Sequence, residues 1–153
     1  MNHVRTPLMV RIYEASAKSS IEREEFGEFL ATANKLIWEC AYKRSRERDW
    51  VFFSVLLLYG SMDSTWSDFS KLFYKLEMDE SLLAVLDLLV CVRSGNGYQL
   101  ERAIREHFDH LPDKVCCYIR QETAERLDKI YRDAFRPPLS RVVMERLQNK
   151  GYH

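Results

Sequence analysis

Histidine and cysteine side chains lie close together in one stretch of the sequence, where they could bind zinc or form a nucleophile with its base. His107 and His110 are three residues apart, and Cys116 and Cys117 follow. Structural zinc sites prefer cysteines two to four residues apart, whereas adjacent cysteines point about 100° apart on a helix. A catalytic cysteine needs a thiolate beside a base in a cleft. We therefore predict no metal, no cofactor and no enzymatic activity; a helical enzyme using His107, His110 and Cys116 is the alternative from another class.

Basic residues are the second feature that could do chemistry. The chain balances 23 Lys/Arg against 23 Asp/Glu, but residues 114–153 hold nine basic and five acidic residues. A local excess of this kind can contact phosphates, although no stacked aromatic platform accompanies it, and a solvated face is the alternative. The predicted contacts to single-stranded RNA are Lys129, Arg132, Arg136 and Arg141. A second basic run, at residues 43–48, is typical of a solvated loop.

The composition of the chain indicates that helices position these histidine, cysteine and basic residues. The chain has 153 residues, the length of one domain, and 46% of them are hydrophobic. Only five glycines and four prolines interrupt it, which favours long helices. The longest apolar run, residues 51–59, is too short to cross a bilayer, so no membrane association is expected. Four cysteines without a secretion signal suggest reduced thiols in an intracellular protein.

Apolar residues recur at steps of three and four along most of the chain, which predicts an all-α fold. Turn residues and charged connectors divide the pattern into about eight helices. Gly60 is expected to close the third helix, Asp63 or Ser64 to cap the fourth, Asp79 to cap the fifth, and Ser94-Gly-Asn-Gly97 to reverse the chain after it. The clearest apolar face has Phe29, Ala33 and Leu36, and the most apolar helix covers residues 50–59. Short connections make sequential helices antiparallel, which gives a stack of helical hairpins. The predicted helices cover about residues 8–21, 23–43, 50–59, 64–76, 80–93, 100–108, 112–134 and 139–149, with the last break at Arg136-Pro-Pro138.

The order of motifs resembles that of the Sac-three/GANP family of PCI-type helical proteins. The segment Val10-Arg-Ile-Tyr-Glu-Ala-Ser-Ala17 is similar to an early helix of the family. A second match starts at Glu24-Glu-Phe-Gly-Glu-Phe29, and a third covers residues 85–98 and includes Gly95-Asn-Gly-Tyr98. The fourth is the corner Ala134-Phe-Arg-Pro-Pro-Leu139. Together the four blocks extend over about residues 8–147.

This resemblance implies a non-enzymatic scaffold or adaptor of a nuclear complex that couples transcription to mRNA processing and export. Proteins of the family pair with another PCI-type protein and can bind RNA through a shared basic surface. A nuclear, or nuclear and cytoplasmic, location follows from that role. The same superfamily contains subunits of the proteasome lid and signalosome, so an assembly subunit of such a complex, without nucleic-acid binding, is the alternative.

The resemblance also implies an architecture. It predicts a single domain over residues 1–153: a right-handed, TPR/HEAT-like stack of helices at 8–134, followed at 137–150 by the start of a winged-helix subdomain. The chain ends at His153, before the strands that would form the wing. We therefore expect the winged-helix part to be truncated or missing. A stack that lacks this cap is expected to expose apolar surface near residues 139–147 and to bind itself or a partner.

Overall fold

The computed structural model describes the backbone of residues 7–149 and the side chains of residues 7–134. Within these residues it forms seven α-helices and no strand, which confirms the all-α prediction. A π-helical turn at Lys35–Glu39 follows the second helix, and a 3-10 turn at Asp63–Thr65 precedes the fourth. The helices are α1 (Pro7–Glu22), α2 (Phe26–Asn34), α3 (Asp49–Ser61), α4 (Trp66–Lys75), α5 (Glu80–Ser94), α6 (Gly97–His107) and α7 (Asp113–Asn149).

Helix α3 forms the centre of the fold, as its all-round apolar sequence predicts. Every residue from Val51 to Ser61 is buried, and α2, α4, α5 and α7 pack around it. Gly60 was expected to close this helix, but the helix continues to Ser61. The structure gives Gly60 another role, since a Cβ atom there would lie 2.6 Å from Leu89 Cδ1. Its missing side chain lets α3 and α5 approach closely.

The second predicted helix, at about residues 23–43, is shorter than expected. Glu24 has a positive φ of 58°, so α2 begins only at Phe26. After the π turn, Ala41 also has a positive φ, of 52°, and ends the helical path. The prediction of the apolar face is confirmed, because Phe29 and Ala33 are buried together with the π-turn residues Leu36 and Ile37. The apolar spacing alone did not reveal the turns at Glu24 and Ala41, which mark the two ends of this helical segment.

Two arginines and a tyrosine anchor the segment between the π turn and α3 to neighbouring helices. The Arg44 guanidinium lies 3.1 Å from a carboxylate oxygen of Asp49 and 2.9 Å from one of Asp79. Tyr42 is buried and donates a hydrogen bond to the Glu14 carboxylate. Burial, and then this hydrogen bond, raise the pKa of the tyrosine. The Arg48 guanidinium lies 4.5 Å from the centre of the Tyr42 ring. This connector is therefore anchored to α1, α3 and the start of α5.

The cap at the start of α5 and the reversal between α5 and α6 both match their predictions. Asp79 caps α5, because its Oδ1 accepts a hydrogen bond of 2.9 Å from the Leu82 N–H. Gly95 ends α5 in the left-handed region at φ 70°, a conformation that glycine adopts without strain. Asn96 then caps α6 by accepting from the Gln99 N–H at 3.1 Å. Local sequence chemistry was sufficient to predict this turn.

The predicted helix break at Arg136-Pro-Pro138 is wrong, because α7 continues from Asp113 to Asn149. It therefore covers the last two predicted helices in one element. Proline fixes φ near −65°, which a helix accepts, but inside a helix each proline also removes a hydrogen bond and crowds the carbonyl four residues earlier, at a cost of about 3 kcal/mol. The assignment of residues 137–150 to a winged helix stays a prediction.

Candidate functional site

The apolar face of α7 changes its surroundings partway along the helix. Val115, Cys116, Ile119 and Thr123 are buried against the body of the protein. The next residues on the same spacing are exposed: Leu127 by 52%, Ile130 by 44% and the neighbouring Tyr131 by 64%. We call residues 127–134 the α7 extension, because all eight of their side chains are exposed. Large apolar side chains repeated at steps of three and four on an uncovered helix are typical of a docking face.

The end of the packed part of α7 is fixed by contacts to three places: the last residue of α3, the 3-10 turn that follows α3, and Gly95 at the end of α5. Arg126 donates a hydrogen bond of 2.9 Å to the Ser61 carbonyl and lies 3.0 Å from a carboxylate oxygen of Asp63. Gly95 touches the backbone of α7, since a Cβ atom there would lie 2.6 Å from Leu127 Cα. With 37 residues, α7 is about 55 Å long, so much of it lies beyond these contacts.

The four predicted RNA contacts all lie on α7. Lys129 and Arg132 are exposed on the α7 extension. Arg132 also lies 3.4 Å from the Asp128 carboxylate, one helical turn earlier, which offsets part of its charge. Arg136 and Arg141 belong to the same helix, but their side chains lie outside the described residues. The structure therefore places Lys129 and Arg132 three residues apart on one exposed helix.

A network that the sequence did not reveal lies beside this basic segment. Asp63 or Ser64 was predicted to cap α4, but the residue before α4 is Thr65, and Asp63 binds Arg126 and Arg93. The hydrogen bond from Arg126 is the main cause that lowers the pKa of the Asp63 carboxyl. Arg93 also donates to the Gly60 carbonyl at 2.9 Å, and its guanidinium lies 4.9 Å from the Trp66 ring centre. The two arginines thus satisfy carbonyl groups at the end of α3.

The histidines and Cys116, which would serve an enzyme, face different cavities. His107 and His110 line one of about 570 Å³, whereas Cys116 lines another, of about 380 Å³, with Glu101 and Arg120. Burial raises the pKa of the Cys116 thiol, which disfavours the nucleophilic thiolate. Among the described residues, no three histidine, cysteine or acidic side chains are placed to hold a metal ion.

No helix within the described part of the chain is both long and apolar enough to cross a membrane. The chain matches no protein-family model, no curated protein and no solved structure.

Proposed function

We propose that this protein is a non-catalytic adaptor that binds a partner protein through the α7 extension. The observation that carries the proposal is the exposure of Leu127, Ile130 and Tyr131 on a face whose earlier residues form part of the core. Docked side chains would remove apolar area from water at about 25 cal/mol per Å². The spacing suits a partner helix, because residues three and four apart lie on one side of a helix.

The finer proposal comes from the resemblance in sequence. In it, the partner is another PCI-type protein, and the complex is a nuclear one that couples transcription to mRNA processing and export. Single-stranded RNA would then meet Lys129, Arg132, Arg136 and Arg141. The exposure of Lys129 and Arg132 supports this arrangement, because a phosphate can reach both side chains.

Co-purification tests the adaptor proposal. The tagged chain is expected to retain a specific protein from nuclear extract, and the double variant Leu127→Asp, Ile130→Asp is expected to lose it. Tyr98→Asp is the matched control, since Tyr98 is a similarly exposed apolar side chain on α6. Circular dichroism checks that both variants stay folded. Retention of the same protein by the double variant would refute the proposal, while proteasome-lid or signalosome subunits as partners would refute its mRNA-export form.

RNA binding is tested separately by titrating single-stranded RNA across salt concentrations. The affinity is expected to fall as salt rises, and Arg132→Glu with Arg136→Glu should weaken binding and flatten that dependence. No salt-dependent binding, or no effect of these two substitutions, would remove RNA contact at α7 from the proposal.

A further inference from the structure

A second basic surface forms where the connector after the π turn meets the end of α4. Residues from both segments line a groove of about 690 Å³. Its cations are Lys43 and Arg46 from the connector, Lys75 from α4 and the partly buried Arg44. Residues 43–48 alone predict a solvated loop, but the fold brings this loop against another positively charged element. We call this surface the basic groove and include Lys71, one helical turn before Lys75.

An exposed tryptophan lies at the edge of the basic groove. Trp38 is part of the π turn and is 41% exposed. The ammonium groups of Lys71 and Lys75 lie 5.1 and 4.2 Å from the centre of its ring. Lys75 also donates a hydrogen bond of 3.1 Å to the Ile37 carbonyl, which fixes its position beside the indole. Tyr74 adds a second aromatic ring on α4 and is 85% exposed. An exposed indole with two cations against its ring therefore lies beside the groove.

The acidic residues of the groove are mostly engaged. Asp49, Glu77 and Asp79 also line it. Arg44 lies within 3.1 Å of both Asp49 and Asp79, so it offsets much of their charge inside the fold. Glu77 is the remaining acidic side chain in the lining and is exposed. Within the lining, the exposed cations Lys43, Arg46 and Lys75 thus outnumber Glu77, the one carboxylate there that Arg44 does not pair.

We propose that the basic groove binds single-stranded nucleic acid, with an unpaired base on the part of the Trp38 ring that Lys71 and Lys75 leave exposed and phosphates at the lysines and Arg46. Aromatic side chains that stack on bases, beside cations that follow the backbone, are the two elements of single-strand recognition. A duplex hides the faces of its bases in the stack. An acidic peptide would use the cations but gain little from the indole. The combination of Trp38 with Lys71 and Lys75 therefore favours a single strand.

This inference goes beyond the proposed function, because it needs neither a partner protein nor the cations of α7. The sequence held a partial signal for it. Trp38 lies off the apolar face of Phe29, Ala33 and Leu36, and Lys71 and Lys75 lie at i,i+4 spacing on a predicted helix. The sequence could not show that these residues meet, since more than thirty positions separate them.

Fluorescence anisotropy with a labelled single-stranded RNA of about twelve nucleotides tests the groove. Trp38→Ala is expected to weaken binding by about fivefold or more, and Trp38→Phe, which keeps an aromatic face, should recover most of it. Lys71→Gln and Arg46→Gln should each lower the salt slope by about 0.7, the share of one phosphate contact on a single strand. Tyr98→Ala and Lys114→Gln, exposed positions outside the groove, serve as matched controls.

The outcomes separate this proposal from RNA contact at α7. If the groove variants weaken binding and Arg132→Glu does not, the groove stands and the α7 contact fails. If Arg132→Glu weakens binding while folded Trp38→Ala and Lys71→Gln bind like the unmodified protein, the groove is overturned. Equal binding of a duplex of the same sequence, or equal competition by polyglutamate, would also overturn it, because the surface would then attract any polyanion.

Discussion

Two parts of α7 carry the same apolar spacing and meet different surroundings. From Val115 to Thr123 the face is buried, and the Thr123 hydroxyl even donates to the Ile119 carbonyl inside the core. On the α7 extension, Leu127 and Ile130 continue the spacing, but about half of each side chain is exposed. Apolar periodicity therefore identifies which side of a helix is suited to burial. The length of the neighbouring helices decides how much of that side is buried within this chain.

The contacts at the junction explain why the change is abrupt. Arg126 reaches the end of α3, and Gly95 closes against the backbone at Leu127. Both contacts come from the last turns of helices that pack beside α7. Beyond them, every side chain from residue 128 to residue 134 is exposed. The packed part stabilises the fold, and the extension is where we propose that a partner binds.

The largest expected effect comes from truncating one isoleucine in each part. Ile119 is fully buried, so Ile119→Ala should lower the free energy of unfolding by about 2–5 kcal/mol through lost burial and a cavity. Ile130→Ala should change it by less than about 0.5 kcal/mol. Urea denaturation of the two variants measures both values. Equal losses would mean that the extension packs against this chain after all.

A smaller effect is expected at the junction. Gly95→Ala introduces a side chain at φ 70° and a Cβ atom 2.6 Å from Leu127 Cα, so it should cost about 1–3 kcal/mol. Gly97→Ala is the control, because a Cβ atom there has no heavy atom within 4 Å. Thermal denaturation compares the two. A melting temperature for Gly95→Ala as high as that of Gly97→Ala would show that α5 and α7 do not meet as described.

The smallest effect concerns the ion pair that ends the packed part. Arg126 lowers the pKa of Asp63 in the folded protein, so the carboxylate contributes stability at neutral pH that is lost as the pH falls below about 4. Asp63→Asn should therefore melt slightly below the unmodified protein at pH 7, and the two should converge in acid. The control is Asp109→Asn, an exposed carboxylate on another part of the surface. A gap that persists unchanged at low pH would contradict the assignment to this charge.

Sequence reasoning succeeded where one local signal was sufficient. The buried centre at α3 followed from an uninterrupted apolar run, and the turn at Gly95 and Asn96 followed from its residue types. It failed at Pro137 and Pro138, where α7 continues although the local preference of proline is against a helix interior. It also missed contacts between distant segments: Asp63 looked like a helix cap, and nothing local joined it to Arg126. Long-range pairs of this kind depend on how the helices pack.

Amide hydrogen exchange along α7, measured on the free protein and on its complex with the partner retained from extract, tests the central claim most directly. Exchange at residues 115–123 should be slow in both samples, because one face of this segment is buried in the fold. Exchange at residues 127–134 should be fast in the free protein and slow in the complex. Protection of residues 127–134 that is already high in the free protein, or that is unchanged in the complex, would contradict the account.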